Sequence, residues 1–154
     1  MQIMKRLLHI LIIVLGMVAM SSCTHNNGDI GPYFGTWKML SVEIDGEVDA
    51  GYAGNVFWKF QNQVVCMVRV NEANHTTTEC WGTWKEIGNE LHLNFTHEDY
   101  YHKPGSSYYS PLPETYLPSM QTLELDIVSL SGSSMQLKYV TDDNSVIEYK
   151  FTKW

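Results

Sequence analysis

An all-β domain, an eight-stranded antiparallel up-and-down β-barrel, is what this sequence predicts, and three observations carry the prediction. Apolar and polar side chains alternate with period two in eight short runs beyond residue 34. Most of the links between the runs are short and rich in Gly, Asn, Asp and Ser. No twelve-residue window beyond the first 22 residues carries a convincing helical stripe. Closure is expected because an open sheet of short strands would leave two unguarded edges.

The first run, Trp37 to Ile44, ends at Asp45-Gly46, a turn signal. The second is Val56-Phe57-Trp58-Lys59-Phe60, with Val56, Trp58 and Phe60 on one face. Asn62-Gln63 links it tightly to Val64–Val70. Thr76 to Ile87 is the fourth, and Gly88-Asn89 turns it into Leu91–Phe95. Thr122–Leu130, Met135–Val140 and Val146–Thr152 complete the set, with turns at 131–134 and 142–144. The alternation sends Trp37, Trp58, Phe60, Trp84, Leu93 or its neighbours, Tyr149 and Phe151 inward. Burying each large side chain contributes about 2–3 kcal/mol against the chain entropy.

Link lengths distinguish the two ends of such a barrel. The longest, 45–55 and 96–119, fall on one rim, and the links of the other rim are all short. With an even strand count both termini lie on the tightly sewn rim, and the loops overhang the opposite mouth. An eight-stranded barrel is just wide enough to be filled by side chains or to hold one small ligand. Any cavity is expected to be shallow and near the loop-covered rim.

The first 22 residues read as an address and not as part of the fold. Lys5 and Arg6 precede an apolar run, Leu7 to Met20, and then Met20-Ser21-Ser22-Cys23. This is the order of a bacterial secretory signal, and the run is too short for a stable membrane span. The last four residues resemble a lipobox, which implies that Cys23 is lipidated and becomes the mature N-terminus. Residues 23–34 then form a polar tether and 35–154 the barrel. The implied anchor is the lipid bilayer, and Thr24 after the cysteine implies an outer membrane lipoprotein, periplasmic or surface-facing. Without Lys5 and Arg6 the formal charge moves from −7 to −9. Such a body repels phosphate backbones, and with no basic stripe to reverse this it is not a nucleic-acid binder.

Gly35-Thr36-Trp37-Lys38 opens the first strand, and the string GTWKMLSVEIDG runs from Gly35 to Gly46. Together with Gly82-Thr83-Trp84 and Leu91-His92-Leu93, these segments resemble the lipocalin-like domains of Gram-negative bacterial lipoproteins. Gly35 and Trp37 match the family's Gly-x-Trp signature. The resemblance covers essentially the whole mature chain and implies carriage of a hydrophobic ligand. The chain departs from lipocalins proper in one respect: they place an arginine over the signature tryptophan, whereas the last strand here offers only Lys150 and Lys153.

The expected site lies at the loop-covered mouth. Trp58, Phe60 and Trp84 are expected to line it, with Tyr100, Tyr101, Tyr108 and Tyr109 of the long link as a lid over a small apolar or amphipathic molecule. Tyrosine offers rigid amphipathic area at low entropy cost. The other reading is a filled barrel whose Tyr-rich loop engages an envelope protein or a glycan. His97-Glu98-Asp99-Tyr100-Tyr101-His102 reads as a solvated charged turn and not a metal cluster, because strand geometry faces the two histidines apart. With no nucleophile elbow, Walker loop or zinc-hydrolase helix, a non-enzymatic protein without cofactor or metal is expected.

Cys66 and Cys80 remain once Cys23 is lipidated. If 71–75 is the hairpin loop, the two cysteines face each other and form a disulfide worth roughly 3 kcal/mol. A register shifted by one residue leaves two buried thiols instead.

Overall fold

The computed structural model describes residues 31–95, 116–118 and 120–154. Nine strands follow one another: β1 Gly35–Ile44, β2 Glu47–Val48, β3 Val56–Gln61, β4 Val64–Asn71, β5 Thr76–Ile87, β6 Glu90–Asn94, β7 Thr122–Leu130, β8 Ser134–Val140 and β9 Val146–Lys153. Sequential neighbours pair antiparallel from β3 onward, β1 pairs with β3, and β1 pairs again with β9 to close the sheet. The barrel therefore has eight strands, as the alternation predicts. The ninth element, β2, is a two-residue addition that folds back on the end of β1. Asp45 and Gly46 make that turn with φ of 52° and 86°, the left-handed pair that a tight hairpin requires.

Both ends of the described unit meet at the sewn rim. The Trp154 amide donates to Thr36 O at 2.9 Å, and Lys153 Nζ donates to Pro32 O at 2.9 Å. Sheet closure and core both lie within 33–153, and 32–154 forms one compact unit.

Inward alternation is interrupted twice, by bulges between Met39 and Ser41 and between Ile127 and Ser129. The extra residues, Leu40 and Val128, are turned to solvent. Each bulge adds one residue without moving the rest of its strand to the wrong face. Gly82 has a different duty. A Cβ there would lie 2.7 Å from Asn94 O and 2.8 Å from the Phe95 ring, so a bare backbone is what lets Phe95 pack across the wall.

The β4–β5 register corrects one expectation. Met67 pairs with Cys80 and Cys66 with Trp81, so the two cysteines project from opposite faces and form no disulfide. The cause is the loop. Its four residues, 72–75, bridge Asn71 and Thr76, with His75 at φ 57° and Asn71 Oδ1 accepting from the Ala73 amide. An even loop shifts the pairing by one residue relative to an odd one, and that moves one thiol to the other face. Cys80 joins the inner core, and Cys66 is buried on the outer wall between Lys59 and Trp81.

Candidate functional site at the barrel mouth

At the sewn end the barrel is plugged by aromatic rings. Tyr33 lies across the rim, with its ring centroid 5.4 Å from Phe60 and 4.7 Å from Trp84. Phe60 meets Trp84 edge-on at 5.2 Å. Trp58 packs 6.2 Å from Phe60 and 4.9 Å from Phe151, which makes it the plug's uppermost member. Burial, and then the Glu86 carboxylate, hold the Tyr33 phenol far above its ordinary range. The signature tryptophan completes the seal: Trp37 Nε1 donates to Tyr33 O at 2.7 Å, and Lys153 Nζ sits 4.2 Å from the Trp37 ring centroid. Lysine thus provides the cation over the signature ring, where a cation–π contact is favourable.

Trp58, Phe60 and Trp84 are therefore brought together, but Phe60 and Trp84 stand at the sewn end and not at the mouth. β3 runs toward the sewn rim, so Phe60, next to the 62–63 link, cannot reach the mouth. Cys23, Tyr100, Tyr101, Tyr108, Tyr109, His97 and His102 lie outside the described residues. Among the described residues no group of three His, Cys, Asp or Glu side chains could hold a metal ion.

The mouth is built differently, and strand register shows how. Trp58, Met67 and Cys80 form one inward row across β3, β4 and β5, and Val56, Arg69 and Thr78 form the next row toward the mouth. Successive inward residues stand about 7 Å apart along a strand. The first row is fully buried, Arg69 is half-buried, and Thr78 and Thr76 are exposed although they face inward. β6 pairs only with residues 83–87 of β5, so among the described residues the β6 side of β5 is open from Thr76 to Gly82. Beneath this opening the Trp58 indole N–H is buried without an acceptor among the described residues; at the sewn end Trp84 Nε1 is in the same state.

Two tyrosines frame the β1–β3 side, next to Val56. β1 and β3 pair only as far as Lys38 and Phe57, and Tyr52 fills the gap beyond. Its hydroxyl donates to Met39 O at 2.9 Å and accepts from the Val56 amide at 3.3 Å, replacing the next rung of the ladder. Burial in this wedge pushes the Tyr52 phenol up to about 12. Tyr116 meets Tyr52 edge-on at 5.3 Å, and its carbonyl accepts from Tyr149 Oη at 2.8 Å. Tyr116 holds this place with φ at 62°, an uncommon conformation for a bulky residue. Burial raises the Tyr116 phenol, the Asp49 carboxylate raises it further, and Arg69 opposes both, so all three groups share one electrostatic neighbourhood.

Arg69, Tyr52 and Asp49 were not among the residues expected at the site. The signal was present for Arg69, the only arginine after Arg6, on the inward parity of its strand.

Comparison with known proteins accords with this architecture. Residues 18–153 match the family described as lipocalin-like domain. A lipocalin-like protein from Bacteroides uniformis is 18% identical and superposes with a TM-score of 0.57, over 80% of this chain and all of that one. An uncharacterized protein from Bacteroides eggerthii is 14% identical with the same TM-score, over 79% of this chain and 99% of that one. At these identities the likeness is one of fold. No curated protein matches the chain. The chain belongs to the lipocalin-like domain family.

Proposed function

We propose that this protein is a membrane-tethered, non-enzymatic binder of a small amphipathic molecule, taken in at the mouth of the barrel. The observation that carries the reading is the change along the inner wall of β3–β5. Below the Trp58 row the wall is sealed by packed rings, and above it Arg69, Thr78 and Thr76 present polar groups on a face open to solvent. A site with an apolar floor and a few convergent polar groups at its lip suits a ligand of mixed character. The buried Trp58 N–H adds a donor in the floor. Leaving such a group unpaired costs about 1–3 kcal/mol, which a ligand acceptor would relieve.

The Met20-Ser21-Ser22-Cys23 segment supports lipidation at Cys23, and Thr24 after it supports an outer membrane address.

The test is native mass spectrometry on the 23–154 body, carrying Cys23→Ser and expressed in a bacterial periplasm, compared with a denatured and solvent-extracted sample. A reproducible extra mass of a few hundred daltons, lost on denaturation, is the expected result. A bare polypeptide mass that also fails to bind added amphiphiles would overturn the reading and favour a filled barrel acting on an envelope protein or glycan.

A further inference from the structure

The outer wall of the barrel carries a second surface, independent of the mouth. We propose that the outward face of β1, β3, β4 and β5 binds an extended acidic glycan, whose sugar rings lie on Trp81 and Trp154 and whose carboxylates meet the ammoniums of Lys38, Lys59 and Lys85.

Register builds this face from two adjacent outward rows. Trp154, Thr36, Lys59, Cys66 and Trp81 form one, since the Trp154 amide donates to Thr36 O and the other four are cross-strand partners in turn. Lys38, Phe57, Val68 and Glu79 form the next. Cys66 and Val68 are buried, so the wall itself is closed and contact falls to the side chains that stand on it. Trp154 is 73% exposed and Trp81 40%. Both rings are held in place. Trp81 Nε1 donates to Glu79 Oε2 at 3.2 Å, two residues back on the same face, which lays the indole along the wall. Trp154 meets Phe57 edge-on at 5.5 Å, and Lys38 Nζ stands 5.2 Å from its ring centroid. Phe57 and Trp81 are two strand spacings apart, about 10 Å, so the two ring platforms suit a chain and not a single sugar.

Charge selects the kind of chain. Of the outward strand lysines, Lys138 is held by Asp126 and Lys150 by Glu43. Among the described residues Lys38, Lys59 and Lys85 have no carboxylate within ion-pair distance, and all three lie on this part of the wall. The carboxylate on the outward parity of β3–β5, Glu79, is tied to Trp81. On a body of formal charge −9, these are the ammoniums left to meet an external anion. A bilayer suits the face less well, because an indole laid along the wall does not project into lipid and Glu79 opposes entry into hydrocarbon.

Isothermal titration on the 23–154 body with Cys23→Ser compares β-1,4-linked hexamannuronate with β-1,4-linked mannohexaose, the same chain with and without carboxylates. Hexamannuronate is expected to bind about tenfold more tightly at low ionic strength, and added salt should narrow the gap. Lys59→Gln should lower the ratio at least threefold while mannohexaose affinity stays within twofold. Trp81→Ala should weaken both probes at least fivefold, and Trp154→Ala repeats the ring test if Trp81→Ala does not fold. Equal binding of the two probes would overturn the acidic character of the ligand. Binding of neither, or binding that survives loss of both rings, would overturn the face as a glycan site. Sedimentation with phosphatidylglycerol vesicles in place of glycan binding, lost in the same variants, would overturn it in favour of a bilayer-facing surface. None of these outcomes bears on the mouth, whose test is the mass of a co-purified ligand.

Discussion

Replacing Tyr52 by phenylalanine removes one oxygen and leaves the ring. The structure assigns that oxygen two main-chain partners, Met39 O at 2.9 Å and the Val56 amide at 3.3 Å, in the gap where the β1–β3 ladder stops. Both backbone groups sit in the buried part of the wall, for Met39 and Val56 have no exposed surface. One hydrogen bond is of good length and the other is long. A typical net contribution is about 1 kcal/mol per bond, and a buried group left unpaired costs about 1–3 kcal/mol. The edge-on contact with Tyr116 survives, because it belongs to the ring. The expected loss is about 2 kcal/mol, or roughly 8 °C in Tm for a barrel of this size. Urea unfolding of the 23–154 body, followed by tryptophan fluorescence, reads it as a lower midpoint with an unchanged slope. A Tyr52→Phe midpoint corresponding to less than about 0.5 kcal/mol would refute the hydroxyl's role as a rung of the ladder.

Three further outcomes are expected. Gly82→Ala sets a Cβ against Asn94 O and the Phe95 ring, so it should lower stability by about 1–3 kcal/mol in the same assay, and a neutral effect would contradict the close packing. Burial pushes the thiols of Cys66 and Cys80 from 9.0 to about 12, so between those values the folded chain holds protons that the unfolded chain releases. Stability contributed by these groups is complete below pH 9 and falls as pH rises toward 12, by up to about 1.4 kcal/mol per pH unit for each group. A pH series of urea midpoints checks the fall, and a thiol reagent at pH 8 should modify both cysteines only once denaturant is added. Lys153→Met removes the cation over Trp37 and the bond to Pro32 O, and a loss of about 1 kcal/mol is expected in thermal melts.

The strands were legible in the sequence because each has one buried and one solvated face, and period two survives wherever that holds. Thr122–Leu130 is the clearest case: its limits follow from the alternation alone, although Val128 is an extra residue turned outward. β2 escaped notice because two residues carry no periodicity; only the hydrogen-bonded return after Asp45-Gly46 makes them a strand. The Cys66–Cys80 pairing turned on whether the hairpin loop holds four residues or five. Asn71 suits a loop as well as a strand end, and composition does not separate the two.

The site was half legible. Trp58 is at the floor of the mouth, and its place on the inward face followed from Val56, Trp58 and Phe60 sharing one parity. Phe60 and Trp84 share the inward parity expected of mouth residues, whereas their position along the strand assigns them to the plug. Phe60 is one residue from the end of β3, and β5 reaches Trp84 just before its turn at the sewn rim. Tyr52 could not be read at all, since its role depends on where the β1–β3 ladder stops.

The proposed function requires that ligand enter from the mouth and stop above the aromatic plug. Indole N–H resonances of the 15N-labelled 23–154 body report on this directly, because the five tryptophans differ in environment: Trp37 Nε1 is bonded to Tyr33 O, Trp58 and Trp84 Nε1 are buried without an acceptor among the described residues, and Trp81 and Trp154 are exposed. Titration with dodecanoate should shift the Trp58 signal and leave those of Trp37 and Trp84 in place. Shifts at Trp84 and Trp37 without Trp58, or shifts confined to Trp81 and Trp154 on the outer surface, would contradict it.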